Sequence, residues 1–171
     1  MRDRTRRKFL ASAAVAALSG TTGGCGRTTG NWRFLTDREA RTLDAVLAWI
    51  IPADEAPGAR EAGVIHYIDR QLTRHFRAHG KTYREGLAAL DTFADAPAER
   101  QQQILAALER DPARKPFFDL VVAHAMQGFY GNPRHGGNRD FGSWRMLGVP
   151  PLPVRGREQY DFTRGGGNAK G

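Results

Sequence analysis

Apolar residues recur at helical spacing in five separate segments of this chain, and this periodicity constrains its fold more than any other feature. Residues three and four apart share one face of an α-helix, whereas a half-buried strand alternates apolar and polar residues. No window alternates convincingly, and no internal repeat occurs. The pattern predicts an all-α protein, a single small bundle of about five helices with antiparallel neighbours. The segments are 36–51, 61–79, 82–93, 116–130 and one that begins at Pro97 and includes Leu108.

The expected helix ends follow from local chemistry. Thr36 and Glu39 form a Thr-x-x-Glu capping box before the first apolar stripe. Pro52 ends that helix at Ile51, because the residue before a proline avoids helical geometry. Gly80 is expected to end the second helix.

The segment 116–130, the fifth along the chain, is the most apolar of the five and is predicted to be the central helix. Three polar residues interrupt it, Asp119, His124 and Gln127. A buried polar group needs a hydrogen-bond partner. These residues therefore indicate an internal hydrogen-bond network or the one exposed strip of the helix.

The periodicity stops at Gly131. Residues 131–143 are predicted to be a glycine-rich loop, residues 144–147 a short turn, and the chain from Val149 an extended C-terminal tail whose last seven residues are disordered. The expected organisation is a signal segment (1–25), a linker (26–35), the helical domain (36–152) and the tail (153–171).

The N-terminus has the layout of an export signal. Five basic residues come before Phe9–Leu18, an apolar run that is too short to span a bilayer. Within it, Arg6, Arg7, Phe9 and Leu10 resemble the twin-arginine signature, an address read by a receptor. The sequence therefore predicts folded export to the periplasm by the twin-arginine (Tat) translocase.

Cys25 is the only cysteine, so the chain cannot close an internal disulfide. Its context, Thr22-Gly23-Gly24-Cys25, ends like a lipoprotein cleavage box, but Thr22 stands where leucine is normal. Lipidation of Cys25 and a plain signal-peptidase cut nearby both remain open. Without residues 1–25 the net charge falls from +8 to +4, so nucleic acid is not an expected partner.

The motifs that accompany redox and transfer chemistry are missing from the sequence. It has no Gly-x-Gly-x-x-Gly, Cys-x-x-Cys-His, Walker or Gly-x-Ser-x-Gly motif. We therefore expect no catalytic residues, cofactor site or metal site in this chain. His75 and His79 have a spacing that can hold zinc on a helix, but they also fit a solvated helix end. An independent periplasmic enzyme or metal-binding protein using His75, His79, His124 or His135 is the rival hypothesis.

The glycine-rich loop has the most unusual composition. It offers directional donors on Arg134, His135, Asn138 and Arg139, followed by Trp144 and Met146. Arginine, tryptophan and methionine are enriched at the centres of protein interfaces. These six residues are predicted to contact a partner. The alternative is a structural loop that caps the bundle with its own hydrogen bonds.

Two blocks of sequence resemble the small, third subunit of gluconate 2-dehydrogenase and related sugar dehydrogenases. The first runs from Thr36 through Ile50-Ile51-Pro52-Ala53-Asp54 to Asp69, and the second covers 126–140 with 144–148. The resemblance extends from about Thr36 to Leu152. Asn132 stands where the family has Asp, and Pro150-Pro151 where Pro-Gly is usual.

The resemblance implies a non-catalytic accessory subunit of a periplasmic or membrane-bound complex. In such a complex a large FAD-dependent GMC-type dehydrogenase subunit oxidises a sugar or sugar acid, and a cytochrome c subunit with haem accepts the electrons. The small subunit carries the twin-arginine signal and escorts the large one through export. No catalytic residues of this small subunit are carried over.

Overall fold

The computed structural model describes residues 31–149, and over this range the protein is a helical bundle without strands. The all-α prediction is confirmed. The expectations for the export signal, Cys25 and the tail fall outside the described residues. The helices are α1 (Asp37–Ile50), α2 (Val64–Leu72), α3 (Gly80–Ala88), α4 (Ala98–Arg110), α5 (Lys115–Tyr130) and α6 (Gly142–Met146), with 3₁₀ turns at Arg77–His79, Phe93–Asp95, Pro133–His135 and Arg139–Phe141.

The capping box at the start of α1 is confirmed. The Glu39 amide donates to Thr36 Oγ1 over 3.3 Å, and the Thr36 amide donates to Glu39 Oε2 over 2.8 Å. Each side chain thus satisfies a backbone donor that has no partner within the helix. The helix ends at Ile50, with Ile51 as its cap, one residue from the predicted end.

The prediction of one helix over residues 61–79 is wrong. Gly63 adopts a left-handed conformation with φ 66°, so α2 begins only at Val64. After Leu72 the chain turns, and Phe76 stacks on His124 of α5. Gly80 begins α3 instead of ending α2. A Cβ atom there would lie 3.2 Å from the Phe34 ring, so the glycine admits close packing at a helix start.

The third and fourth predicted helices also shift. The third ends at Ala88, five residues early, and Phe93 is buried by a separate 3₁₀ turn. Pro97 is the N-cap of α4 and not its first helical residue. At the end of α3, burial of the Phe93 side chain decides where the element ends more than local propensity does.

The fifth helix, α5, is central as predicted, since it packs against α1, α2, α3, α4 and α6. Its buried face contains Phe117, Val121, His124, Ala125, Gly128 and Phe129. Met126 and Tyr130 are exposed, although we expected apolar burial around most of the helix. No helix within residues 31–149 is long and apolar enough to cross a membrane.

A strap of residues 32–35 closes over α2, although the sequence placed these residues in a linker. The buried Asp69 carboxylate accepts three backbone N–H groups, those of Arg33 (2.9 Å), Phe34 (2.9 Å) and Leu35 (3.0 Å). Trp32 stacks on His66, with ring centroids 5.2 Å apart. The start of the described chain is therefore part of the fold.

Replacing Asp69 by asparagine should lower the free energy of unfolding by about 2 kcal/mol, the scale of hydrogen bonds to a charged group. The asparagine side chain carries no negative charge. Its NH₂ group would also replace one of the two acceptor oxygens and face a backbone N–H, so two donors would meet without an acceptor. Urea unfolding measures the effect. Asp91→Asn is the control, because it only breaks an exposed ion pair with Arg38 and should change stability by less than about 1 kcal/mol. Equal effects of the two substitutions would contradict a structural role for the strap.

Candidate functional site

Asn138 organises the glycine-rich loop from inside. It is fully buried, and its Nδ2 donates to the Gly131 carbonyl over 2.9 Å. Its Oδ1 accepts the Ser143 amide at 3.0 Å and lies 2.8 Å from Ser143 Oγ, which is 2.6 Å from the Phe129 carbonyl. The loop therefore satisfies carbonyls at the end of α5 with its own side chains. Asn138, which the sequence placed among the partner contacts, faces the interior.

Two glycines let this loop lie directly on α5. A Cβ atom on Gly137 would stand 2.2 Å from the Gly128 carbonyl oxygen, which is a backbone clash that no rotamer relieves. A Cβ atom on Gly128 would stand 2.8 Å from the Tyr67 ring. Only glycine at both positions permits this close approach of loop, α5 and α2.

Three non-glycine residues of the loop have left-handed backbones, Asn138 (φ 45°), Asp140 (φ 54°) and Phe141 (φ 56°). Such conformations are uncommon and persist where surrounding contacts hold them. Here the Arg139 amide, between them, donates to the Ala62 carbonyl over 3.0 Å. The strained turn starts α6, and the exposed Arg139 side chain lies close to Gly63 at the start of α2.

Trp144 fastens α6 to α5. Its Nε1 donates to the Tyr130 carbonyl over 2.8 Å, and its ring contacts Phe141 with centroids 5.5 Å apart. The ring is nevertheless half-exposed. Trp144 therefore serves the loop's own structure and also presents an aromatic surface to the outside.

An exposed apolar surface surrounds this contact, and sequence reasoning identified only one of its members, Met146. The large hydrophobic residues that are exposed within residues 31–149 all lie on the second half of α5 or just around the end of α6. We call this set the apolar surface: Met126, Tyr130, Met146, Leu147 and Val149. Their exposed fractions range from 39% to 57%. The hydrogen bond from Trp144 to Tyr130 places the exposed residues of α5 and those around the end of α6 at the same end of the bundle.

Arg134 and His135 lie beside this surface in the 3₁₀ turn that follows α5. Arg134 is exposed and its Nε donates to His135 Nε2 over 3.0 Å. His135 therefore acts as an acceptor and is neutral in this arrangement. Partial burial and nearby positive charges lower the pKa of His135. Of the six predicted contact residues, Arg134, Arg139 and Met146 are exposed, His135 and Trp144 are half-buried, and Asn138 is buried.

The pairing of His75 and His79 on one helix face is wrong, because the helix that would carry both ends at Leu72. His75 lies in the turn, while His79 belongs to a 3₁₀ turn with its ring 5.6 Å from that of His124. Among the described residues no group of three or more His, Cys, Asp or Glu side chains could hold a metal. Two surface grooves, along α4 and between α1 and residues 91–95, contain no histidine.

His124 forms the internal hydrogen bond that its position on α5 indicated. Its Nδ1 lies 3.0 Å from the Tyr83 hydroxyl, and its ring stacks in parallel on Phe76 at 3.6 Å. Burial, with a smaller effect of His79, lowers the pKa of His124 to about 4. Burial also raises the pKa of Tyr83. Both groups are neutral near pH 7, so the pair joins α3 to α5 without a buried charge.

Comparison with known proteins gives one match. A family model described as Gluconate 2-dehydrogenase subunit 3 matches residues 37–151, which is more than half of the chain. The match begins at α1 and runs past the end of the described residues. Searches of curated proteins and of solved structures returned no match.

The His124–Tyr83 pair should make stability depend on pH. The folded-state pKa of about 4 lies below the unfolded value of 6.5, so the unfolded chain binds more protons between these values and stability falls as the pH drops through this window. We expect this residue to account for a loss of about 2 to 3 kcal/mol between pH 7 and pH 4. Urea unfolding of the wild type and of His124→Phe at several pH values isolates the contribution of His124 to the pH dependence. An equal pH slope in both proteins would contradict this origin.

Proposed function

The chain belongs to the gluconate 2-dehydrogenase subunit 3 family, and from this premise we propose that it is a non-catalytic accessory subunit that assembles with a flavoprotein dehydrogenase and escorts it through export. Members of this family are subunits of a complex, so other subunits are implied. The match over the folded domain is the observation that carries the proposal. The finer identity of the partners is an inference from the resemblance described above.

In this proposal the redox chemistry belongs to the partners. A large FAD-dependent GMC-type subunit oxidises the sugar or sugar acid, and a cytochrome c subunit accepts the electrons through haem. The sequence of the present chain has no motif for either group. Its buried His124–Tyr83 pair is neutral and joins two helices, which is a structural role.

The apolar surface supports docking to a partner. Exposed apolar patches that are rimmed by polar residues mark interaction sites. This one combines Met126, Tyr130 and Met146 with the half-exposed ring of Trp144. Tyrosine, tryptophan and methionine are enriched in interface centres, while lysine and glutamate are depleted. No Lys or Glu occurs from Arg134 to Val149.

The export role rests on the twin-arginine pattern of Arg6 and Arg7. Folded export suits a flavoprotein, because the cofactor is inserted before the protein crosses the membrane. A partner without its own signal would cross bound to this chain. The complex would then act in the periplasm, attached to the membrane through another subunit or through a lipid on Cys25.

Replacing Arg6 and Arg7 together by lysine should retain both this protein and the co-expressed flavoprotein in the cytoplasm. The matched control replaces Arg2 and Arg4 by lysine, which keeps the same charge and leaves the arginine pair intact. Cell fractionation with dehydrogenase assays of each fraction measures the outcome. Normal periplasmic dehydrogenase activity with the Arg6→Lys, Arg7→Lys protein would refute the escort role.

Replacing Met146 and Leu147 by serine should weaken the complex at least tenfold and leave the free energy of unfolding within about 0.5 kcal/mol of the wild type, because both side chains are exposed. Co-purification and urea unfolding give the two readouts. Trp144→Phe should show the opposite pattern, with a stability loss of about 1 kcal/mol from the missing hydrogen bond to Tyr130. A double serine variant that co-purifies normally would exclude the apolar surface from docking.

A further inference from the structure

Basic side chains from two parts of the fold lie close to His135. Arg70 lies in the last turn of α2, Arg74 and His75 lie in the turn after it, and Arg134 precedes His135 in the loop. We call these five residues the cationic surface. All four neighbours act on the His135 imidazole in the same direction, since the charge of each opposes its protonation. No carboxylate is among the charged groups that act on it.

Seven of the thirteen other lysines and arginines in residues 31–149 form ion pairs. Arg38 contacts Asp91 at 2.6 Å and Arg60 contacts Asp44 at 2.8 Å, while Arg41, Arg84 and Lys115 contact Asp95, Glu39 and Asp119. Within residues 31–149, no member of the cationic surface forms an ion pair. Like charges held together repel each other, so this arrangement destabilises the free protein unless an anion neutralises it.

Hydrogen bonds hold the cationic surface in place. Arg70 Nη1 donates to the Arg134 carbonyl over 2.9 Å, and the Arg134 amide donates to Asn132 Oδ1 over 3.1 Å. Arg134 Nε in turn donates to His135 Nε2. The guanidinium groups of Arg70 and Arg134 are therefore pre-oriented in the free protein, and a partner that approaches them finds fewer rotamers to fix on this side.

We propose that the cationic surface is an electrostatic docking site for an acidic face of the partner dehydrogenase subunit. The inference rests on the proposed function, since it requires that subunit. It adds to that function the kind of surface that the partner presents, namely a cluster of carboxylates that contacts Arg70, Arg74 and Arg134.

One observation favours a protein over another polyanion, namely position. Gly131 and Asn132 connect Tyr130 of the apolar surface to the 3₁₀ turn of Arg134, so the two surfaces adjoin, as the apolar centre and the polar rim of a protein interface do. The fixed charges are arginines, whose planar guanidinium groups make two-point contacts with carboxylates and with phosphates.

Docking of carboxylates should also be linked to proton uptake. An acidic face would oppose the repulsion that its basic neighbours exert on His135 and so favour its protonated form. In that form Nε2 is a donor and no longer accepts from Arg134 Nε, so both groups can donate to carboxylates of the partner. The bound state would then hold more protons than the free subunit. Association should therefore tighten as the pH falls from about 7.5 to 6, across the ordinary range of histidine titration.

The test uses the co-expressed complex, purified through the small subunit, and measures the dilution at which it dissociates. Arg74→Glu should raise the dissociation constant at least tenfold at low salt, and high salt should shrink that difference. Arg110→Glu is the matched control, an exposed arginine on α4 without a described ion pair, and should have no such effect. His135→Gln should reduce the pH dependence between pH 6 and 7.5.

The outcomes separate the two proposals. If no dehydrogenase subunit co-purifies with the wild-type protein, the proposed function fails and this inference fails with it. If the complex forms but Arg74→Glu dissociates like the wild type, only the inference fails. Binding of the mature protein to anionic lipid vesicles, lost in Arg74→Glu while the complex is unaffected, would assign the cationic surface to lipid and overturn the inference.

Discussion

Burial of one face of α5 is the interaction on which the rest of the structure depends. Phe117, Val121 and Phe129 fill the centre of the core, and α1 to α4 and α6 pack around them. The same face carries His124, whose buried Nδ1 finds its hydrogen-bond partner in the Tyr83 hydroxyl. The other face of α5 remains open and carries part of the apolar surface. One helix therefore organises the core and carries part of the surface that we propose for docking.

Local signals in the sequence correctly predicted the helix ends and helical runs that depend on residues close in the chain. The Thr36–Glu39 box and the long periodic run of α5 were placed within one or two residues. The error in the second helix arose where distant contacts decide: Phe76 leaves the helical path to stack on His124, 48 residues away, and Gly80 makes room for Phe34. No local pattern reveals either contact, because each depends on a chain segment outside the window.

The candidate site shows the same division. Its composition led to the prediction that the loop contacts a partner, and the family resemblance suggested which partner. That Asn138 would turn inwards follows only from the carbonyls left open at the end of α5. The Asp69 contacts to the strap and the approach of Arg70 to Arg134 join residues 34 to 36 and 64 positions apart, respectively. Reading such contacts from one sequence would require the topology in advance.

The left-handed turn at residues 138–141 affects how easily the glycine-rich loop opens. Each non-glycine residue in this conformation costs roughly 1 kcal/mol or more, which the hydrogen bonds of Asn138 and the Ala62 carbonyl offset. We therefore expect the loop to open at a lower cost in free energy than α5, as a separate cooperative unit. Amide hydrogen exchange would register this opening at Arg139 and Ser143 while the core stays protected. A partner bound to the apolar and cationic surfaces would suppress this opening. The exchange rate of these loop amides would then measure the fraction of the protein that has a partner bound.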